Sequence, residues 1–354
     1  MALFTVLWWA WASYTFFADR YDTDDVGQRL LSVAQMVAVV GMAASFGLGD
    51  ERLGTISRQF GASYALARLV LVLMYVRAWR SVPQTQPLVG GYLKGFSVEV
   101  VLWAASVLTP PPWRYALWAA GLGISFATPW LMRAHQVRVP LSVSHLPERF
   151  GLFTILVLGE SIAAVAVGAG DEVWAVGSTV VGIAGVVVAT SLWWVYFDNL
   201  EGSVVRRDPN KQHDWRPTAW IYSHLPLAVG LTMAGLGLEG MIAHASGHLD
   251  AGHRWLAAGG VGVAQLAMAM ILVSSTPWAA GLQLGRRALA RVVGAGAVGL
   301  LAIGGGGFSP TAFGLGLALI CAAQVVVDVV DHWFWAARAS ETLAPDLDEG
   351  RSAG

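Results

Sequence analysis

The chain has 354 residues, 56 % of them hydrophobic and 13 % charged, with 22 Lys and Arg against 23 Asp and Glu. Soluble domains carry about 25 % charged residues, so this composition excludes an ordinary soluble fold, gives no basic surface for nucleic acid, and makes the lipid bilayer the main partner. A single cysteine, Cys321, lies within an apolar run, which excludes a disulfide framework and a cysteine-based zinc site.

Met1 to Ala18 is apolar but has no Lys or Arg ahead of it, so it reads as a retained membrane helix and not as a cleaved signal peptide. In chain order, apolar runs of spanning or near-spanning length occupy 3–18, 29–48, 60–79, 90–109, 113–132, 149–170, 173–197, 217–242, 254–277, 288–305 and 310–333. Their distribution of positive charge is uneven. Seventeen of the 22 Lys and Arg follow odd-numbered runs. Only Arg52, Arg58, Arg114 and Arg254 follow even-numbered ones, and Arg68 sits within a run. Because cytoplasmic loops concentrate Lys and Arg, eleven spans with an external amino terminus and a cytoplasmic carboxyl terminus are expected. The last segment, 339–354, is small, polar and acidic, and is expected to be a disordered tail.

The first run ends with Trp8-Trp9-Ala10-Trp11 and Asp19, and the seventh with Trp193-Trp194 and Asp198, an offset of about 185 residues that also aligns Val40-Gly41-Met42-Ala43 with Leu231-Thr232-Met233-Ala234. This predicts an all-α polytopic integral membrane bundle of about eleven helices in two related halves, 1–140 with five and 141–338 with six. The run at 149–170 then has no counterpart in the first half. A six-helix unit returns to its starting side, so such halves would be parallel repeats of the kind transporters use.

The candidate functional residues are the ionisable groups inside these runs. Glu160, followed by Ser161, falls about ten residues into the sixth run, near the bilayer centre, where an acid is either a proton or cation relay or a hydrogen-bonded packing group. His224, beside Pro226 in the eighth run, is a further relay candidate whose ring would otherwise bond a nearby carbonyl. Arg68 and Glu99 lie on consecutive antiparallel runs at depths about 5 Å apart, and a membrane Arg costs at least about 2.5 kcal/mol without a counter-ion, so they are expected to form a buried ion pair. Asp19, Asp198, Asp328 and Asp331 cluster at expected cytoplasmic helix ends as an acidic collar facing loop arginines. Asp328 and Asp331 share a face with Gln324 and form either the inner mouth of a cation path or an interfacial pair.

Other patterns carry less. The glycine-broken loop holding His244, His248, Asp250 and His253 is a weak metal pattern, and Asp22 to Asp25 lacks the glycine and distal Glu of a calcium loop, so no metal is expected. Gly304 to Gly307 has no following Lys-Ser or Lys-Thr and is no phosphate loop. No Ser-His-Asp or His-Glu-x-x-His pattern occurs, so neither an enzyme nor a cofactor is expected. Gly182 and Gly185, with Ala295 and Gly299, are expected at close helix contacts.

Trp8-Trp9-Ala10-Trp11, Asp22-Thr23-Asp24-Asp25, Gln35-Met36, His145-Leu146-Pro147-Glu148-Arg149-Phe150-Gly151-Leu152-Phe153-Thr154-Ile155 and Leu158-Gly159-Glu160-Ser161 together resemble the bacterial low temperature requirement protein A family. The resemblance implies a multi-pass bacterial inner-membrane protein linked to growth in the cold, and it names no substrate. Members usually begin with an extra helix bearing a Glu-Leu-Phe-Phe-Asp-Leu-Val-Phe-like motif, the helix that the repeat also lacks. The expected function is a proton- or cation-linked secondary transporter of a small solute, with Glu160 as its acid. The alternative is a non-transporting protein that supports the envelope in the cold.

Overall fold

The structure, a computed structural model, describes residues 2–45, 53–136, 138–142, 145–168, 176–200, 215–275 and 281–343. Among these, every regular element is helical: α1 (Ala2–Tyr21), α2 (Val26–Ala44), α3 (Leu53–Ser81), α4 (Gln86–Leu108), α5 (Trp113–Leu131), the four-residue α6 (Arg133–Gln136), α7 (His145–Gly168), α8 (Val176–Leu200), α9 (Arg216–Ala243), α10 (Ala251–Ser275), α11 (Gly281–Gly304) and α12 (Pro310–Leu343). A helix therefore stands on each of the eleven apolar runs. Eight of them, α2 to α4 and α8 to α12, contain stretches long and apolar enough to cross a membrane. The others, α1, α5 and α7, are also long enough to cross. The chain is a multi-pass membrane protein.

Helix boundaries follow local chemistry. Asp25 caps α2 by accepting the Gln28 N–H at 3.0 Å, Asp250 accepts the His253 N–H at 3.1 Å at the start of α10, and Ser309 Oγ accepts the Ala312 N–H at 3.1 Å ahead of Pro310, the first residue of α12. At the α4–α5 turn the buried Arg114 donates from Nε to the carbonyls of Ser106 and Thr109, placing a cation on the carbonyl end of α4. Two boundaries differ from expectation. The α11 helix starts well before its apolar run, because Arg287, Arg291 and Gly294 recur at helical spacing on a polar face. The α12 helix runs to Leu343, so 339–343 is helical, and the rest of the expected tail lies outside the described residues.

The described residues form two compact units, one up to Leu146 and one from Pro147. In the first, α3 packs against α2 and α4, α4 against α5, and α1 against α3. Its core is aromatic. Phe17, Tyr21, Tyr75, Tyr92 and Phe96 form one cluster, and Trp103 stacks on Trp118 at 4.9 Å above Phe60 and Tyr64.

In the second unit α10 packs on α9 and α11, and α12 packs on α8 and α11. The closest approach is between α9 and α10. A Cβ at Gly230 would lie 2.7 Å from the Gly260 carbonyl oxygen, and one at Gly260 would lie 2.6 Å from the Gly230 oxygen, with Gly237 against the Ala257 backbone. Gly230, Ala234 and Gly237 thus face Ala257, Gly260 and Ala264 with the backbones almost touching, the arrangement that dispersion favours in lipid. Of the positions expected at close contacts, the Ala295 carbonyl oxygen would lie 4.0 Å from a Cβ at Gly262, whereas Gly182 and Gly299 each have open space among the described residues where a Cβ would stand. Small residues permit close approach, and which face meets a neighbour is decided by the whole helix.

Candidate functional site

Among the described residues two ion pairs have both side chains fully buried. In the first unit, Arg68 Nη2 lies 2.6 Å from Glu99 Oε2, with Nε donating to the same oxygen at 2.7 Å, and both side chains are fully buried. Tyr64 donates its hydroxyl to Glu99 Oε1 at 2.8 Å. Ser125 bonds Glu99 while accepting Arg68 Nη2 at 2.9 Å and Trp9 Nε1 at 2.6 Å. The guanidinium also stacks on the Phe96 ring, 4.5 Å from its centroid. Both oxygens of Glu99 are occupied; the unused group is Arg68 Nη1. Tyr64 and Ser125 give no sequence signal as partners, each being an isolated polar residue in an apolar run.

The second unit is built differently. Asp328 on α12 accepts Arg291 Nη2 of α11 through Oδ2, and both side chains are buried. Arg291 Nη1 donates to Gln324 Oε1 at 2.7 Å. One helical turn further along, Arg287 donates from Nε to Asp331 Oδ2 and from Nη1 to Asp198 Oδ2, each at 3.1 Å. The opposite direction leads to Gln265 of α10, whose Nε2 reaches Cys321 Sγ at 4.0 Å. Gly294 leaves room for the two amides, since a Cβ there would lie 2.6 Å from Gln324 Nε2 and against Gln265 Oε1. Cys321, Gln324, Asp328 and Asp331 share one face of α12, so a polar line runs from mid-helix to the partly exposed Asp198. Two oxygens on it have no hydrogen-bond partner among the described residues: Asp328 Oδ1 and Gln265 Oε1.

The collar residues are held in two different ways, each within its own unit. Asp198, Asp328 and Asp331 meet through Arg287, which stands on α11 and not in a loop. Asp19 instead accepts the Ser142 backbone N–H at 2.6 Å in the first unit, while its neighbour Arg20 donates to the Val139 carbonyl.

The other candidates are not assembled into one site. Glu160 is exposed on α7 and has no hydrogen-bond or ion partner among the described residues. Ser161 turns the other way, its hydroxyl near the Val157 and Leu231 carbonyl oxygens at 3.0 and 3.2 Å. His224 is buried. Its Nδ1 lies 2.7 Å from the Trp220 carbonyl, which can only accept, so Nδ1 carries the proton and Nε2 accepts the Tyr196 hydroxyl at 3.0 Å. Both ring nitrogens are engaged in the neutral form.

At the helix ends, charge is held in place. Arg77 donates to both Asp25 oxygens and, with Thr23 and the Gln28 N–H, holds that carboxyl far below the usual range. The His253 N–H lowers the Asp250 carboxyl below its ordinary value, and the His244 and His253 rings stack at 5.5 Å. Among the described residues no group of three His, Cys, Asp or Glu converges as metal ligands would.

Residues 1–341 match the family model described as Bacterial low temperature requirement A protein. A curated relative, an uncharacterized protein of Rhizobium meliloti (strain 1021), is 26 % identical over 258 residues, 67 % of this chain. That alignment spans 60 % of the relative's length. No solved structure matches.

Proposed function

The chain belongs to the bacterial low temperature requirement A family, and from that premise we propose that it is a proton- or cation-linked secondary transporter of a small solute, acting without a cofactor and catalysing no covalent reaction. The observation that carries this reading is Asp328. A carboxylate kept inside the membrane for structure alone is expected to have both oxygens bonded, because a buried unpaired acceptor costs about 1–3 kcal/mol. Asp328 commits one oxygen to Arg291, and the other has no hydrogen-bond partner among the described residues, on a polar line that reaches the partly exposed Asp198. A proton or a cation is what such an oxygen can take up and release. In this reading Asp328 is the coupling acid, Arg291 its internal counter-ion, and Arg287 the link to Asp331 and Asp198. Glu160, outside the helix packing, carries no part of the route.

The reading also places the protein in the bacterial inner membrane with eleven spans in two related halves of five and six and a cytoplasmic carboxyl terminus. The packing order of α1 to α5 supports the repeat: α3 sits between α2 and α4 as α10 sits between α9 and α11. Cysteines introduced at Gly202 and Gly247 should label from opposite sides of intact spheroplasts, and labelling of both from outside would overturn the topology. Transport is tested in proteoliposomes on a solid-supported membrane, screening small solutes for charge movement driven by a pH or sodium gradient. The reading expects at least one solute to give a gradient-dependent current that Asp328→Asn abolishes. A current that survives that substitution removes the coupling role.

A further inference from the structure

We infer that the groove between α1 and α2 is a binding site for the headgroup of a zwitterionic aminophospholipid. The groove is a cavity of about 600 Å³ lined by Tyr14, Asp22, Thr23, Asp24, Gln28, Arg29, Ser32, Val33 and Met36, a size ordinary for a small-ligand site. Its lining changes character along α2. Asp22, Asp24 and Arg29 stand at the mouth where α1 ends and α2 begins, the Tyr14 hydroxyl and Ser32 Oγ join the walls at 2.9 Å, and Val33 and Met36 lie one to two helical turns further along α2. From Arg29 to Met36 is about 10 Å along the helix. Val33 and Met36 are more than half exposed, so this end opens onto the apolar outer face of α2, where Leu30, Val37 and Val40 also face out. A polar mouth above an apolar slot open to the bilayer matches a lipid, headgroup first and chain below.

The mouth offers unused bonding groups of both signs. Arg29 donates from Nε and Nη2 to the same oxygen of Asp24, at 3.1 and 2.5 Å, which leaves Nη1 and Asp24 Oδ2 available. Gln28 is 3 % exposed, lines the groove, and its Nε2 has no acceptor among the described residues. Asp22 has no side-chain partner among the described residues, whereas Asp25 is committed to Arg77 and the helix cap. A phosphate diester would take Arg29 and the Gln28 amide, and a primary ammonium would take Asp22 and the free oxygen of Asp24. Two carboxylates against one guanidinium leave the site net negative. That disfavours an anionic headgroup and favours one that brings its own cation, and a quaternary ammonium has no N–H to give the carboxylates.

The test is native mass spectrometry of the full chain in detergent, titrated with phosphatidylethanolamine, phosphatidylglycerol and phosphatidylcholine of matched acyl chains. Phosphatidylethanolamine should be retained severalfold more than either other lipid. Asp22→Asn should narrow that preference without weakening phosphatidylglycerol retention, and Arg29→Gln should weaken all three. Both residues are surface-exposed, and unchanged thermal unfolding of the variants would confirm that the fold is intact. Equal retention of the three lipids, or a preference that survives both substitutions, would overturn the proposal. Soluble phosphoethanolamine displacing the lipid at equal concentration would overturn it too, by making the site one for free zwitterions.

Discussion

The pair Arg68–Glu99 in the first unit and the pair Arg291–Asp328 in the second are both buried arginine–carboxylate bridges between adjacent helices, yet their surplus bonding capacity lies on opposite partners. Around Glu99 every oxygen is taken, by Arg68, Tyr64 and Ser125, and the spare group is an arginine N–H close to aromatic rings. Around Asp328 the arginine is engaged with Gln324 and the spare atom is a carboxylate oxygen. An arginine does not give up its proton in a protein, so a leftover N–H can do nothing but bond, whereas a leftover carboxylate oxygen can exchange a proton or cation. The first pair is a rivet. The second has the composition of a site.

Breaking the rivet should have the largest effect. Glu99→Leu strands Arg68 in the aromatic core and should cost about 3–5 kcal/mol, while Arg68→Met with Glu99→Leu should recover most of it, because replacing a buried pair by apolar side chains removes the desolvation cost of both charges. Tryptophan fluorescence during thermal unfolding in detergent measures both. A double variant as unstable as the single one would contradict the assignment.

The α9–α10 crossing gives the next effect. Gly260→Ala puts a methyl group 2.6 Å from the Gly230 carbonyl oxygen and should cost about 1–3 kcal/mol, whereas Gly299→Ala fills open space and should leave stability unchanged or gain about 0.5–1 kcal/mol of helix propensity. Similar effects at the two positions would mean that the crossing is looser than described.

Asp328→Asn should then change stability less than Glu99→Leu does, since the amide keeps an acceptor for Arg291 and gains an N–H for the spare side. The smallest effect belongs to the exposed pair Asp25–Arg77. Its folded carboxyl is held below the ordinary range, so its contribution is fully present above that range and is lost as pH falls through the depressed value. Unfolding temperature of the native chain and of Asp25→Asn should therefore differ by the same small amount from about pH 7 to about pH 5 and converge only in strong acid. Convergence already near pH 5 would show that Arg77 does not hold the carboxyl.

Much of this was legible in the sequence. The apolar runs gave the helices, and the depth arithmetic brought Arg68 opposite Glu99, because antiparallel neighbours make residue number a measure of depth. What was not legible concerned faces. Arg287 stands just before the apolar run 288–305 and Arg291 at its start, where sequence reading groups them with the loop cations, and only helical continuity puts them on the face that meets Asp328 and Asp331. Glu160 has the right depth, but depth says nothing about direction, and its side of α7 points away from the packing that Ser161 joins. Gly230 and Gly260 were readable as small residues, while their partnership needed the α9–α10 crossing itself.

The central claim is that the spare oxygen of Asp328, and not the carboxylate of Glu160, couples the protein to an ion. Complementation of cold-sensitive growth tests it most directly, comparing Asp328→Asn with Glu160→Gln in a strain lacking the protein, at matched membrane abundance and unfolding temperature. The account predicts that Glu160→Gln restores growth and Asp328→Asn does not. Rescue by Asp328→Asn would contradict it.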